Sequence, residues 1–481
     1  TPPDLRPAPR PTPVSRLVET HSARNPRLLL FYGIVGGLLA VLTAGLAYRQ
    51  LFKTSLYSDR ERVQNQRRVI MPGPRGNIYD RDGRVIVGNR TRFSVVLNLA
   101  ELRAEFRNEY RVVERNYRSL AAAERPTADQ FAMIARASVA QRYLDQVNFI
   151  LGRHEKVRTN ELNRHVNQTL LLPYVLLDDL APEEYARLIE RLPVTSPLQV
   201  YAAGTRHYPF DSAAAHVLGY TRVDSDPEAE DFPGEDLLTF KMKGSVGRAG
   251  IELVFDEQLQ GRTGGAIYLV DPAGYKLPRP VETRLPMQGR NIVTSLDIDL
   301  QQAAEAAMKD GEGQDRTGAA VAVDIQTGEV LVMVSKPDFN LNDFVPRLSP
   351  DTFKAIEESG GWLNRAIQGQ YPPGSTFKIF TAVAGLRSGS IESSASKVIC
   401  PGFYQVGNRR FPCSAKNGHG EVDLVKALAL SCNVFFYKYG LETGPDLIAA
   451  EGRRFGLGHP TGIELPAEFK EPRVADPAWK R

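Results

Sequence analysis

The stretch Tyr371-Pro372-Pro373-Gly374-Ser375-Thr376-Phe377-Lys378 decides how the C-terminal part of this chain is read. It separates a polar run (364–370) from an apolar one of helical character, Ile379-Phe380-Thr381-Ala382-Val383-Ala384-Gly385-Leu386. Two prolines and a glycine cannot continue a helix, but they fix a tight entry into one. Ser375 is therefore expected at or near a helix N-terminus, where backbone N–H groups are unpaired and the dipole favours negative charge. Lys378, three residues on, shares its face. An amine held there and partly desolvated can lose its proton and take one from a serine hydroxyl. By itself Ser-x-x-Lys is common, and an N-cap serine followed by a surface lysine accounts for most occurrences. The flanking Pro-Pro-Gly and a second motif downstream favour a nucleophile with its base.

That second motif is Ser431-Cys432-Asn433, set between two helical runs (422–430 and 434–439). Three residues between helices can point alternate side chains into one cleft. Ser431 would then pass a proton between Lys378 and a leaving nitrogen, and Asn433 would bind a substrate amide. Ser-x-Asn means little alone; placed 56 residues after a Pro-Pro-Gly-Ser-x-x-Lys helix start it becomes specific.

The rest of the chain is consistent with a large anchored protein. At 481 residues it holds two or three domains. A hydrophobic content of 42%, a charged content of 24% and a net charge of +4 are ordinary for folded protein and do not argue for nucleic acid. Residues 1–13, rich in proline and arginine, read as a disordered tail. Residues 28–48, LLLFYGIVGGLLAVLTAGLAY, are long and apolar enough to cross a bilayer once. A retained anchor fits better than a cleaved signal peptide, because the apolar core is long and no small-x-small site follows it. Arg16, Arg24 and Arg27 on one side and Arg49, Lys53, Arg60 and Arg62 on the other leave its orientation undecided.

Beyond the span, 77–79 and 84–87 flank an Asp82-Gly83 turn as a hairpin, and 92–99 alternates like a strand. Residues 101–191 are charged and mostly helical in pattern, with helix starts at Thr127 and Pro182 and with His154 and His165 on the surface. Residues 244–264 read as a glycine-bounded amphipathic helix, and 264–270 and 289–295 as strands. A helix follows from Asp297 or Asp299, and 317–335 forms a hairpin on a well-buried sheet. His207 and His216 have no metal-like neighbours and are read as structural.

The paired serine motifs resemble those of the penicillin-binding protein and serine β-lactamase superfamily. PRGNIYDRDG (74–83), RHYPF (206–210), AHVLGY (215–220), GRAGIELVFDEQLQGRTG (247–264), TSLDIDLQ (294–301), VAVDIQTGEVLVMVS (321–335) and NRAIQGQYPPGSTFK (364–378) narrow the match. They are similar to class B penicillin-binding proteins, above all the elongation type, from about Leu28 to Arg481. The resemblance implies a mixed α/β (α+β) fold, with a cytoplasmic tail (1–27) and a single transmembrane helix (28–48). A dimerisation-like pedestal (49–291) with a helical head at about 100–195 would follow, then a penicillin-binding transpeptidase domain (292–481). It places the protein in the bacterial inner membrane with its bulk outside the cytoplasm. The implied activity is cross-linking of peptidoglycan stem peptides through a serine acyl-enzyme formed on D-Ala-D-Ala, with sensitivity to β-lactams. Carried over by motif, Ser375 is the nucleophile, Lys378 its base, and Ser431 and Asn433 the second-motif pair. The implied partner is a RodA-type glycan polymerase.

One family feature is missing. The third motif, Lys-Thr/Ser-Gly, does not follow Ser431; Leu441-Glu442-Thr443-Gly444 lacks the lysine and lies too close. The transpeptidase domain is therefore expected to be incomplete in this sequence. Two other readings stay open: a penicillin sensor or β-lactamase relative, and a non-catalytic scaffold that activates the polymerase.

Independently of those motifs, Cys400, Cys413, His419 and Cys432 use every cysteine in the chain, spaced C-x12-C-x5-H-x12-C. Three thiolates and an imidazole suit a closed structural zinc site. The alternatives are a Cys400–Cys413 disulfide with Cys432 a buried free thiol, or three unlinked thiols. Catalysis by serine and lysine needs no metal, so any zinc would brace Ser431 and Asn433 rather than react.

Overall fold

The computed structural model describes residues 26–480 apart from 122–123, 194–195, 229–231, 394, 467 and 470–472. The expected tail (1–13), Arg16 and Arg24 lie outside the described residues. The chain divides into two compact units, one reaching to Gln66 and one starting at Arg67.

In the first unit, the helix Pro26–Phe52 continues the apolar run a short way beyond each end. Its leucines, valines and aromatics are exposed all round, from Leu28 through Val41 to Leu51. At 1.5 Å per residue its 27 residues extend for roughly 40 Å, more than the ~30 Å of a bilayer's hydrocarbon core. Among the described residues it alone is long and apolar enough to cross a membrane. The helix Thr54–Asn65 that follows is polar.

The second unit is mixed α/β. A four-stranded sheet runs in the order Lys276–Arg284, Gly261–Val270, Gln66–Gly73, Leu238–Lys241. A five-stranded sheet is built around Val85–Leu97, which pairs antiparallel with Ile78–Tyr79, Tyr174–Leu180 and Leu198–His207. Val95, Leu97 and Leu198 pack against Leu144, Val147, Leu162 and Leu188 of the helical region. The helix Ala128–Leu151 starts where expected because Thr127 and Gln130 close a capping box. Pro182 opens Pro182–Arg191 at the first turn.

Several expectations require correction. The strand segments at 84–87 and 92–99 are one strand, because Gly88 to Thr91 stay paired with His207 to Gly204. The strand Tyr174–Leu180 lies inside the segment read as helical. The strand expected at 289–295 shrinks to Ile292–Val293. His165 is half-buried, its Nε2 2.9 Å from the Leu172 carbonyl and its Nδ1 3.0 Å from Thr169 Oγ1.

The segment 244–264 is not one helix but a strand, Gly244–Gly247, and two short helices, Gly250–Val254 and Asp256–Leu259. The break follows from an ion cluster. Glu252, fully buried, takes Arg206 Nε at 2.5 Å and Arg75 Nη2 at 2.7 Å, while Asp256 takes Arg75 Nη1 at 2.6 Å and the Gly247 N–H at 2.7 Å. Gly250 lies in the left-handed region (φ 56°) and presses against the Val217 carbonyl, where a Cβ would sit 2.3 Å away. The arginines of the two upstream segments thus meet one glutamate and tie three distant pieces of chain together.

The hairpin Gly318–Val323 with Val330–Lys336 forms as read, but not on a well-buried sheet. Val332, Met333, Val334 and Ser335 are buried, whereas Val321 and Val323 of the other strand are half exposed, since that strand has no second neighbour among the described residues. Asp297 caps Ile298–Ala307 by accepting from Asp299 and Leu300 N–H. His216 is structural, with Nε2 2.6 Å from the Gly361 carbonyl and its ring against Phe339.

Candidate active site

Pro373 and Gly374 (φ 53°) turn the chain into a 3-10 turn, Gly374–Phe377, which runs straight into the helix Lys378–Ser388. Ser375 is exposed at this entrance, and Lys378 is half-buried on the first helical turn. Opposite them, the helix Leu424–Ala429 ends and Asn433–Thr443 begins. The link between these two helices turns at Ser431 in the left-handed region (φ 50°), an uncommon conformation for a residue with a Cβ. That turn sends Ser431 and Asn433 toward Lys378 and Cys432 into the core.

The four candidate residues meet. Lys378 Nζ donates to the Ser431 carbonyl at 2.8 Å, Ser431 Oγ at 2.9 Å and Asn433 Oδ1 at 2.6 Å. Ser431 Oγ donates to Ser375 Oγ at 2.9 Å. The hydrogen-bonded path from Ser375 to Lys378 thus runs through Ser431. Burial lowers the Lys378 pKa from the usual lysine value, with Cys413 and Cys432 acting weakly in the other direction. The Phe436 ring sits 5.6 Å below its ammonium.

Cys400, Cys413, His419 and Cys432 also converge, their ligand atoms all within 4.8 Å of one another. His419 Nδ1 lies 3.6 Å from Cys400 Sγ and 3.5 Å from Cys413 Sγ. Zinc–sulfur bonds of about 2.3 Å in a tetrahedron imply ligand separations of roughly 3.8 Å, so the donor set fits with a small contraction. Burial pushes the Cys413 thiol up, but the N–H groups of Ala415, Val434 and Asn433 outweigh it and bring it to about 6. A thiolate is thus favoured there. Burial and the neighbouring thiols hold Cys432 high, at about 11. The cluster touches the serine site directly: the Asn433 backbone N–H donates to Cys413 Sγ at 3.3 Å.

Sequence reasoning missed one neighbour. The Asn433 side chain also donates to the Pro412 carbonyl at 3.3 Å, so the hairpin Phe403–Val406 with Arg409–Pro412 adjoins the site. The alternation in FYQVGNRRFP and its Gly-Asn turn are the signal that pointed to it.

Residues 70–294 match the family model of the penicillin-binding protein dimerisation domain, and residues 318–479 that of the penicillin-binding protein transpeptidase domain. The chain is 29% identical over 461 residues to the peptidoglycan D,D-transpeptidase MrdA of Acinetobacter baumannii, covering 94% of this chain and 61% of the relative. It is 28% identical to MrdA of Escherichia coli K12 over 94% of this chain and 66% of that one. The chain therefore spans less than two thirds of the length of these relatives. Its fold resembles penicillin-binding protein 2 of Helicobacter pylori, solved in complex with MreC, with a TM-score of 0.62 and 27% identity. That likeness covers 86% of this chain and 69% of the other. A solved peptidoglycan synthase complex that coordinates polymerization and crosslinking matches with a TM-score of 0.58 and 26% identity, over 95% of this chain and 71% of that one.

Proposed function

Because the chain belongs to the class B penicillin-binding proteins of the elongation type, we propose that it acts as a peptidoglycan D,D-transpeptidase. The observation that carries this reading is the continuous hydrogen-bond chain from Ser375 through Ser431 to Lys378. Ser375 Oγ attacks the carbonyl of the D-Ala-D-Ala bond while its proton moves to Ser431 Oγ, and the Ser431 proton moves to the neutral Lys378 amine. Lys378 then returns its proton through Ser431 Oγ to the leaving nitrogen of the terminal D-alanine, which departs as the free amine. An amine from a neighbouring stem peptide then takes the acyl group and forms the cross-link. The Ser375 backbone N–H supplies one oxyanion donor, and Asn433 holds a substrate amide. A β-lactam, whose amide mimics the scissile bond, acylates the same serine and stays.

The apolar helix Pro26–Phe52 would anchor the protein in the bacterial inner membrane, with the second unit outside the cytoplasm where stem peptides lie. A RodA-type glycan polymerase is the partner that supplies the strands to be joined, and an MreC-type protein is a second one.

Cys400, Cys413, His419 and Cys432 would hold a structural zinc. The support is that all four groups converge, where a disulfide needs only two. The metal would fix the start of Asn433–Thr443 and so the position of Asn433.

Incubating the full-length protein with a D-Ala-D-Ala stem peptide and an amine acceptor tests the reading. Release of D-alanine with formation of the peptide–amine product, both lost in Ser375→Ala, is expected. Release that survives Ser375→Ala would overturn it, and hydrolysis without amine transfer would favour a β-lactamase-like enzyme.

A further inference from the structure

Asn433 and Phe436 are three residues apart on the helix Asn433–Thr443, so their side chains leave by one face, a turn apart. Both reach the same nitrogen. Asn433 Oδ1 lies 2.6 Å from Lys378 Nζ, and the face of the Phe436 ring lies beneath it, 5.6 Å away at the centroid. Phe435, fully buried in the core, meets Phe436 edge to face at 5.4 Å and holds the ring in place. Phe436 is itself buried, and the attraction between a cation and a ring face strengthens where water is excluded.

Acylation asks two opposed things of Lys378. Its amine has to be neutral before the attack, and it has to become an ammonium as the serine loses its proton. Burial meets the first demand by lowering the lysine pKa, and the same burial opposes the second. A carboxylate beside the amine would reverse the balance and hold the ammonium before any substrate arrived. Among the described residues none acts there. The thiols of Cys413 and Cys432 are the titratable groups that act on Lys378, and they do so less than burial. On the flanking helices Glu442 pairs with Lys438, and Glu451 with Arg387 and Arg454. The three atoms that accept from Nζ are oxygens without formal charge, the Ser431 carbonyl and hydroxyl and the Asn433 amide. The ring face adds negative potential without adding a charge.

We propose that Phe436 is a positioning residue for acylation, its ring face stabilising the Lys378 ammonium as that ammonium forms. This rests on the transpeptidase reading above. The ring restores part of the basicity that burial removes. Draining its face of electron density therefore moves the midpoint of the acylation rate against pH downward, and it lowers the plateau above that midpoint. Below the midpoint the two changes oppose each other, because a weaker base is also neutral more often. A ring that only fills space predicts neither change.

The test uses the full-length protein with a trifluorinated phenylalanine in place of Phe436. The fluorines keep the ring's shape and withdraw charge from its face, so the packing on Phe435 is retained, and thermal melting shows that the protein is folded. Stopped-flow acylation of Ser375 by a reporter β-lactam is followed against pH. The midpoint should fall by about half to one pH unit and the plateau by about two- to fivefold, the scale of one partly buried cation–ring contact. The same residue in place of Phe435, which meets the rings of Phe436 and Tyr439, should leave both at their wild-type values. An unshifted profile with Phe436 fluorinated, or an equal shift with Phe435 fluorinated, would overturn the role. Wild-type labelling by the same lactam separates the two failures. An unlabelled wild type overturns the transpeptidase reading and this role with it, whereas a labelled wild type with an unshifted variant overturns this role alone.

Discussion

Ser431 accepts from Lys378 through both its carbonyl and its hydroxyl, at 2.8 and 2.9 Å, and reaches Ser375 Oγ at 2.9 Å with the same hydroxyl. One side chain thus links the Ser375 hydroxyl to the Lys378 amine. The left-handed backbone at Ser431 makes this possible, because it turns the carbonyl and the hydroxyl toward the same lysine. In the proposed mechanism the second motif is part of the proton path, not only a wall of the cleft.

Replacing Ser431 by alanine should therefore lower the acylation rate by about 10²–10³-fold, within the range of a lost general acid–base step. Affinity for the unreacted drug should change little, because the hydroxyl is already engaged by Ser375 Oγ and Lys378 Nζ. Stopped-flow acylation by a reporter β-lactam separates the two. A rate within threefold of wild type would place the proton path elsewhere.

The Lys378 amine must be neutral to accept a proton, so acylation rises as pH rises through its pKa. Burial lowers that pKa. The midpoint of the acylation rate against pH should therefore fall below the ordinary lysine value of about 10.4. A midpoint at or above that value contradicts the site as described.

The protein purified under reducing conditions should contain one zinc per chain. Cys413→Ser and His419→Ala should each lose it, and chelation should lower Tm by several degrees and slow acylation, since Asn433 is tied to Cys413. Metal analysis with differential scanning calorimetry reads both effects. Protein with no zinc and an intact Cys400–Cys413 disulfide would refute the metal.

Glu252 compensates two buried arginines, and its loss leaves Arg206 without an ion partner and Arg75 with Asp256 alone. Glu252→Ala should cost about 3–5 kcal/mol, as expected when one partner of a buried ion cluster is removed. Denaturant unfolding of the variant measures it. A change below 1 kcal/mol would mean that the cluster holds little of the fold.

Much of this was legible in the chain. Pro372, Pro373 and Gly374 announced the helix entrance that exposes Ser375, and the 3.6-residue repeat carried Lys378 to the same face. The apolar composition of 28–48 announced a helix long and apolar enough to cross a bilayer, without any help from tertiary structure. What stayed hidden depended on distant partners. Residues 244–264 have helical periodicity, yet Arg75 and Arg206 capture Glu252 and the close approach at Gly250 breaks the helix. The strand Lys276–Arg284 contains Pro278 and Pro280, which an edge strand tolerates and a sequence pattern does not suggest. The place of Ser431 between Ser375 and Lys378 follows from the meeting of two helices, which no local rule states.

The most direct measurement is the intact mass of the full-length protein after exposure to a penicillin, with Ser375→Ala as control. A single stable adduct of the drug's mass, localised to Ser375 and absent from the variant, is the predicted result. An unmodified wild-type protein, or an adduct that persists in Ser375→Ala, would contradict the assignment of Ser375 as the nucleophile.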